Sequence, residues 1–588
     1  MKSKHIHFIG ICGVAMSALA LAFKRNGWTV TGSDVGFYPP VSTHLKNAGV
    51  DYYAGWHVNK MIANGVPDLV VVGNVASSNN PEWLYVQEHK LNYKSYPEVI
   101  AEYFIKKNSI VCAGTYGKST STSILTWILK EAGYDPSYMF GGIANTTPYS
   151  PPSQGGDTAG DRIRQLTPPY EGGAPGWLLP SAEMTNSSWS IVEGDEYTAS
   201  RWDKGPKFAY YSPTHLLLTS VVWDHADVYP TEADYIAAFQ KLVDLVPTNG
   251  LQVISEKAAS VILAPPSRGA HGGCETIVWP NTTQPSDAKD LHPHYPHRGG
   301  IVTYGRDPAN DYMYSDITQS RNGIQFTITH KITNNQYPIT SSCLGEYMAD
   351  NLTGCFALAN EIGIAPEKII AAIKTFAGMK RRLEKRYENG VTIFDDIAHS
   401  PSKARAILET LRTVYCHSES PAPGGEESLA HQQFVRNDQQ VSQRSLLRRR
   451  DDKLDEVSLG MKKLKVYAIF EPNTGNRQSE AASWYDNAFA AADEIIIPRL
   501  TKLKSTGAVV PKRGDRDASL AMTSENMEGD ELAKIMSRTH PKTSYIDDDE
   551  KLLNYIKEKI QPGDVVVFMG SHGFRGMIDT LVSTMSKS

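Results

Sequence analysis

Short apolar runs alternate with stretches of helical periodicity along most of this 588-residue chain. Over residues 5–105 the runs His5–Ile9, Trp28–Thr31 and Leu69–Val72 have the length of buried strands, with 3.6-residue patterns between them. Strands that alternate with helices predict a parallel sheet, here a small Rossmann-like unit. A second series begins at Ser109–Ala113 and continues with Ser190–Val192, His215–Thr219 and Gln325–Thr329. Helical patterns run from Lys118 to about Gly133 and from Gly345 to near Phe376. A third series holds Val391–Phe394, Lys465–Phe470, Glu494–Ile497 and Val565–Phe568.

The fold class that follows is α/β in three domains. They are a Rossmann-like domain over 1–106, a central P-loop ATPase-like parallel sheet over 107–376, and a C-terminal Rossmann-like domain over 377–588. Three polar, aperiodic stretches interrupt this plan near 146–187, 264–300 and 417–460, and they read as surface insertions. No repeat of fixed period is visible.

Composition changes little in this picture. Apolar residues make up 41% and charged residues 21%, as in an ordinary globular protein. A net charge of −5 supplies no global field for nucleic acid, so the triplet Arg448–Arg450 reads as part of a solvated insertion. The six cysteines (Cys12, Cys112, Cys274, Cys343, Cys355, Cys416) are scattered without a C-x-x-C pair, which predicts a reducing, cytoplasmic setting and no zinc ribbon. His292, His294 and His297 have metal-ligand spacing, but a Pro-rich stretch holds them and the expectation is no specific metal there. The basic start and apolar run to Phe23 imitate a secretory leader. Gly10 and Gly13 break that run and a second strand follows, so strand, loop and helix is the better reading. No run approaches a membrane span.

Two glycine loops carry candidate chemistry. Gly114-Thr115-Tyr116-Gly117-Lys118-Ser119-Thr120 follows a strand and opens a helix, the context of a phosphate-binding loop. Glycines admit backbone N–H groups to the phosphates, Lys118 reaches the β/γ-phosphates, and the Ser119 hydroxyl suits Mg²⁺. Cys112 stands where the first glycine of the usual pattern falls. The earlier loop, Gly10-Ile11-Cys12-Gly13-Val14-Ala15-Met16, is a degraded G-x-G-x-x-G, with Asp34 about 20 residues on, where an acid often meets a ribose. A structural strand–turn–helix is the competing reading of this weaker signal. Two further clusters lie at predicted strand ends: Glu193-Gly-Asp195-Glu196, and Asp224-His225-Ala226-Asp227. Glu193 and His225 are candidate Mg²⁺ holders, although carboxylate suits that ion better than imidazole, and the aspartates equally suit helix N-caps.

In this order the motifs resemble those of the Mur ligases, the ATP-dependent family that joins amino acids or peptides to UDP-N-acetylmuramic acid. Gly10–Met16 is similar to that family's uridine-diphosphate loop, Gly114–Thr120 to its ATP loop, and Glu193–Glu196 with Asp224–Asp227 to its magnesium segments. Lys380-Arg381-Arg382-Leu383-Glu384 and Asp395–Pro401 resemble the start of its third domain. Val72–Val75, Glu196-Tyr197, Trp202–Phe208 and Trp223–Tyr229 look like the branch that attaches a recovered tripeptide. Phe470–Arg477 looks like the branch that adds L-alanine. The chain departs from the family at Tyr116, Ser220, Val222, Ser400 and across Gly345–Asn351, where the final Asn351 alone is kept.

The resemblance implies an ATP-dependent ligase that forms an amide on the lactyl carboxylate of UDP-N-acetylmuramate through an acyl phosphate. The tripeptide L-alanyl-γ-D-glutamyl-meso-diaminopimelate is the expected amine and L-alanine the alternative; a nucleotide-binding homologue without catalysis is a third reading. ATP and Mg²⁺ are the implied cofactors. Catalysis would fall to Lys118, Glu193, His225, Arg381 and Arg382, with Ser119, Glu193 and His225 on the metal. Gly114, Thr115, Gly117, Lys118, Ser119, Thr120, Asn351 and Asp396 would hold ATP. Gly10, Cys12, Gly13, Val14, Ala15, Met16, Asp34 and Asn74 would hold the UDP-sugar. The expected partners are these small molecules alone, with no nucleic acid or membrane, and the chain is expected to be a monomer or a weak homo-oligomer.

Overall fold

The computed structural model describes residues 3–37, 41–146, 177–223, 228–263, 300–416, 464–501 and 527–586. They fall into two compact units, Met1–Glu384 and Lys385–Ser588. Most of the three expected insertions lies outside the described residues, as do His225, the 292–297 histidines and the Arg448 cluster.

The first unit opens with a five-stranded parallel sheet in the order Asp51–Ala54, Thr29–Asp34, His5–Ile9, Leu69–Val72, Tyr93–Ser95. Its inner strands, His-Ile-His-Phe-Ile and Leu-Val-Val-Val, are buried throughout, as expected for strands covered on both faces. The second strand begins one residue later than its pattern predicts and runs on to Asp34. Trp28 is spent on ending the helix Val14–Arg25. Gly27 takes φ +80°, the Trp28 N–H donates to Phe23 O at 3.2 Å, and the two rings meet edge to face at 5.1 Å.

The same unit contains a ten-stranded sheet. Its phosphate-loop strand, Asn108–Ala113, lies between Trp189–Gly194 and His215–Leu218, parallel to both. Leu251–Ser255 and Ile301–Gly305 extend the parallel run, and an antiparallel meander through Tyr312–Ser320, Gly323–His330 and Asn335–Ser341 closes it. This register sets Glu193 beside Cys112 and Leu218 beside Ala113, so the Glu193 segment and the chain that follows Leu218 leave the sheet next to the glycine loop. The single helical pattern expected from Gly345 to Phe376 is two helices, Glu346–Glu361 and Pro366–Thr375. Gly363 at φ +89° breaks it, and Pro366 restarts it at a position that needs no N–H. The first expected insertion also ends early. Trp177–Leu179 pairs with Ala144–Thr146, and Ala182–Glu183 pairs with Ser137–Met139.

The second unit is a six-stranded sheet in the order Glu384–Asn389, Val391–Asp396, Val565–Gly570, Val466–Glu471, Glu494–Pro498, Thr543–Ile546, parallel through its last five strands. Helices built on Leu552, Ile556, Ile578 and Leu581 pack against it. Among the described residues, no helix is long and apolar enough to cross a membrane.

Candidate active site

The phosphate loop is shaped by two glycines with positive φ. Gly114 takes φ +132°, and a Cβ there would lie 2.4 Å from Thr219 Oγ1 and 2.8 Å from Ser220 N. Gly117 takes φ +85° as the N-cap of the helix Lys118–Glu131, which has no side-chain cap. A Cβ on Gly117 would meet Asn351 Oδ1 at 2.5 Å, which places Asn351 directly against the loop. The uncapped helix start leaves backbone donors and the positive end of the helix dipole for an anion. Neighbouring residues pin the loop. Tyr116 N donates to Ser220 Oγ at 2.9 Å, and Thr115 Oγ1 donates to Val222 O at 2.8 Å. Ser220 and Val222, where the chain departs from the resembled motif, therefore fix the loop in this protein.

Charged side chains crowd the loop. The Lys118 ammonium donates to Gly114 O at 2.7 Å and pairs with Glu196, whose two oxygens lie 2.9 and 3.2 Å away. Both side chains are buried. Burial works against the Lys118 charge, but Glu196, then Asp195 and Glu193, outweigh it and raise its pKa. Ser119 Oγ donates to Glu193 Oε1 at 2.7 Å, and Gly141 N donates to Glu193 Oε2 at 2.7 Å. Glu193 is nevertheless pushed above the ordinary glutamate range, first by burial and then by Asp195, against the pull of Lys118, Gly141 and Ser119. Arg382 Nη2 reaches Ser119 Oγ at 3.3 Å. The backbone before it is tightly wound, with Gly378 at φ +88° and Arg381 at φ +57°. Arg381 is held by its N–H to Glu384 Oε2 at 2.9 Å. Thr120 is half-buried in the first turn of the same helix.

Among the described residues, no three of His, Cys, Asp and Glu converge as a metal cage. The donor set that exists, one carboxylate bonded to one hydroxyl, still suits Mg²⁺, which keeps several waters and commonly binds through one or two carboxylates plus phosphate oxygens. A carboxylate that burial disfavours as an anion gains most from a divalent cation.

The first glycine loop is built differently. Gly10 takes φ +91°, and a Cβ there would meet Val75 Cγ1 at 2.4 Å. Asp34 accepts the Cys12 N–H at 2.8 Å on one oxygen and the Val35 N–H at 2.7 Å on the other. Its carboxylate thus closes the loop, a contact that the ribose expectation did not include. Gly13 and Val14 are exposed, Cys12 and Ala15 half-buried, and Met16 is packed into the sheet core. Gly13 N-caps a second helix without a side-chain cap. Burial and Asp34 raise the Cys12 thiol to about 12, so it is no nucleophile at neutral pH. The Asn74 side chain is exposed beside the loop.

In the second unit, Asp396 ends its strand buried and accepts the Ala398 N–H at 2.6 Å. Met348 is core and Tyr347 is 37% exposed. Sequence reasoning missed Glu196, Gly141 and Ser220 as site residues. Glu196 had a readable signal, a second glutamate three residues after Glu193 at one strand end. Gly141 had none, since its role is a backbone N–H.

A lysine-bearing glycine loop beside the acidic end of a neighbouring strand, in a parallel sheet, defines a nucleotide-binding enzyme of the phosphate-loop class. Residues 5–107 match the family described as "Mur ligase family, catalytic domain". The UDP-N-acetylmuramate–L-alanyl-γ-D-glutamyl-meso-2,6-diaminoheptandioate ligase of Haemophilus influenzae is 30% identical over 416 residues, 70% of this chain and 76% of that protein. The UDP-N-acetylmuramate–L-alanine ligase of Chlorobium phaeobacteroides is 24% identical over 574 residues, 97% of this chain and 95% of that one. The fold matches the solved murein peptide ligase of Psychrobacter arcticus with a TM-score of 0.60 at 23% identity, covering 100% of this chain and 99% of that one. The chain belongs to the Mur ligase family. Its activity class is that of an ATP-dependent ligase forming a carbon–nitrogen bond.

Proposed function

We propose that this chain joins the tripeptide L-alanyl-γ-D-glutamyl-meso-diaminopimelate to the lactyl carboxylate of UDP-N-acetylmuramate. The observation that carries the reading is the Lys118, Ser119, Glu193 and Arg382 cluster at the helix start, in a chain 30% identical to a ligase named for that tripeptide. A carboxylate is a poor electrophile. The lactyl oxygen attacks the γ-phosphate of ATP, releasing ADP and leaving an acyl phosphate; the amine attacks the acyl carbon and inorganic phosphate leaves.

Phosphoryl transfer is mainly positioning and charge neutralisation. Lys118 turns from Glu196 and Gly114 O to the phosphates, and Arg382 adds a second cation beside Ser119. Ser119 and Glu193, with His225 as a further ligand, hold Mg²⁺, which when bound neutralises phosphate charge. Asn351 and Asp396 contact the nucleotide, and Arg381 supports Arg382. Gly10 to Met16, with Asp34 and Asn74, cradle the UDP group. The domain plan stays that of limits near 106 and 376, in a cytoplasmic enzyme.

A second reading has L-alanine as the amine. It is favoured by relatives of that name spanning 97% of the chain and by the Phe470–Arg477 segment. Phosphate release from MgATP and UDP-N-acetylmuramate, compared with tripeptide, L-alanine and no amine, separates them. Release with tripeptide alone, with the matching product mass, supports the first reading. Release with L-alanine alone replaces it by the second, and silence with every amine rejects both.

A further inference from the structure

Between the strand Trp189–Gly194 and the short helical turn Lys207–Tyr210 the chain forms a closed hairpin. Thr198 pairs antiparallel with Pro206, and Ala199 N donates to Gly205 O at 2.8 Å. At the tip, Asp203 accepts the Gly205 N–H at 2.7 Å, and the Tyr210 hydroxyl bonds its other oxygen. Such bonding makes the hairpin a stiff body whose ends move together. Its base carries Glu196, which grips Lys118. Its tip carries Arg201 and Trp202, which leave the ten-stranded sheet altogether. Arg201 Nε donates to the Asn74 carbonyl at 2.6 Å, across 127 residues of sequence. The Trp202 ring stacks on Trp83 at 5.2 Å and 15°, and meets the edge of Tyr93 at 5.9 Å.

The first of those partners, Asn74, adjoins the first glycine loop. The Gly73–Val75 turn lies so close to it that a Cβ on Gly73 would be 2.8 Å from Ile9 O, and one on Gly10 would be 2.4 Å from Val75 Cγ1. A shift of the first loop must therefore shift the carbonyl that Arg201 holds. At the other end the same hairpin carries the carboxylate that holds Lys118. We propose that Arg201 and Trp202 are positioning residues that couple sugar-nucleotide binding at the first loop to the seating of Lys118 at the second. The inference rests on the proposed function, since it needs both ligands.

The test is the affinity of the whole chain for a non-hydrolysable ATP analogue with Mg²⁺, with and without UDP-N-acetylmuramate, and the reverse. Linkage requires the coupling factor to be the same from either side, and about fivefold or more is expected for the native chain. In Trp202→Ala and Arg201→Met that factor falls to within about twofold of unity, while each ligand alone binds within about threefold of native. Trp202→Phe, which keeps a stacking ring, restores it. Coupling retained in both Trp202→Ala and Arg201→Met overturns the inference, as does a loss of both single affinities that leaves the factor unchanged. A native chain that binds both ligands without coupling overturns the inference alone. A native chain that does not bind UDP-N-acetylmuramate overturns the functional reading and the inference with it.

Discussion

The two glycine loops share a backbone plan and differ in charge. Each follows a buried strand and opens a helix that has no side-chain cap. At Gly10–Met16 a carboxylate from the adjacent strand, Asp34, accepts a loop N–H, and no lysine is present. At Gly114–Ser119 the lysine lies inside the loop, with Glu196, Glu193 and Arg382 around it. The first arrangement suits holding a ligand by shape and backbone. The second places movable charge where a phosphoryl group would develop it. On the proposed function, the strand–loop–helix plan would serve binding in one place and chemistry in the other, with side-chain charge making the difference.

Substitutions at the second loop should therefore hit turnover hardest. Lys118→Met is expected to lower kcat about 10³-fold, a typical loss for a cation that neutralises a transferring phosphate. The same change removes the cation that offsets the buried Glu196 carboxylate and should cost about 3 kcal/mol of stability in denaturant unfolding. Adding Glu196→Gln should recover most of that stability and none of the activity. If the double variant regained turnover, Lys118 would be structural and the contrast between the loops would fail. Glu193→Gln comes next, with kcat lowered about 10²-fold and a higher Mg²⁺ requirement in steady-state titrations.

At the first loop the expected change is in binding. Asp34→Ala frees the Cys12 N–H and loosens the turn, so KM for UDP-N-acetylmuramate should rise roughly tenfold, with kcat unchanged. A fall in kcat at unaltered KM would erase the distinction. The smallest effect is one of stability. His215 opens the strand beside the phosphate loop, and burial lowers its pKa to about 4 from 6.5. A depressed folded pKa means stability that is complete above 6.5 and is lost as pH falls toward 4, because the unfolded chain takes the proton first. Between pH 7 and 6 the loss should be ~0.7 kcal/mol, and His215→Gln should flatten that slope in pH-dependent melting.

Much of the fold was legible because continuous buried runs such as Leu69–Val72 admit one reading. Strand starts near turns were less so. Trp28 has strand propensity, yet Gly27 commits it to the helix end. Gly363 within a helical pattern could have been tolerated, and only its positive φ reveals the break. At the site, Lys118, Ser119 and Glu193 were readable from spacing, and the structure brings Ser119 and Glu193 into hydrogen-bond contact. Arg382 was readable as a charge, but not its reach back to Ser119 across 263 residues. Asp34 fits the ribose spacing, but the amides that it accepts become visible only when strand and loop are set side by side.

The central claim, that the lactyl carboxylate is activated by phosphorylation at the Lys118 loop, is tested most directly by isotope transfer. UDP-N-acetylmuramate labelled with heavy oxygen in that carboxylate is turned over with MgATP and the tripeptide, and the released phosphate is analysed by mass. The account predicts one labelled oxygen in each phosphate released, and none released by Lys118→Met on the same time scale. Phosphate released without label, while amide product forms, would contradict it.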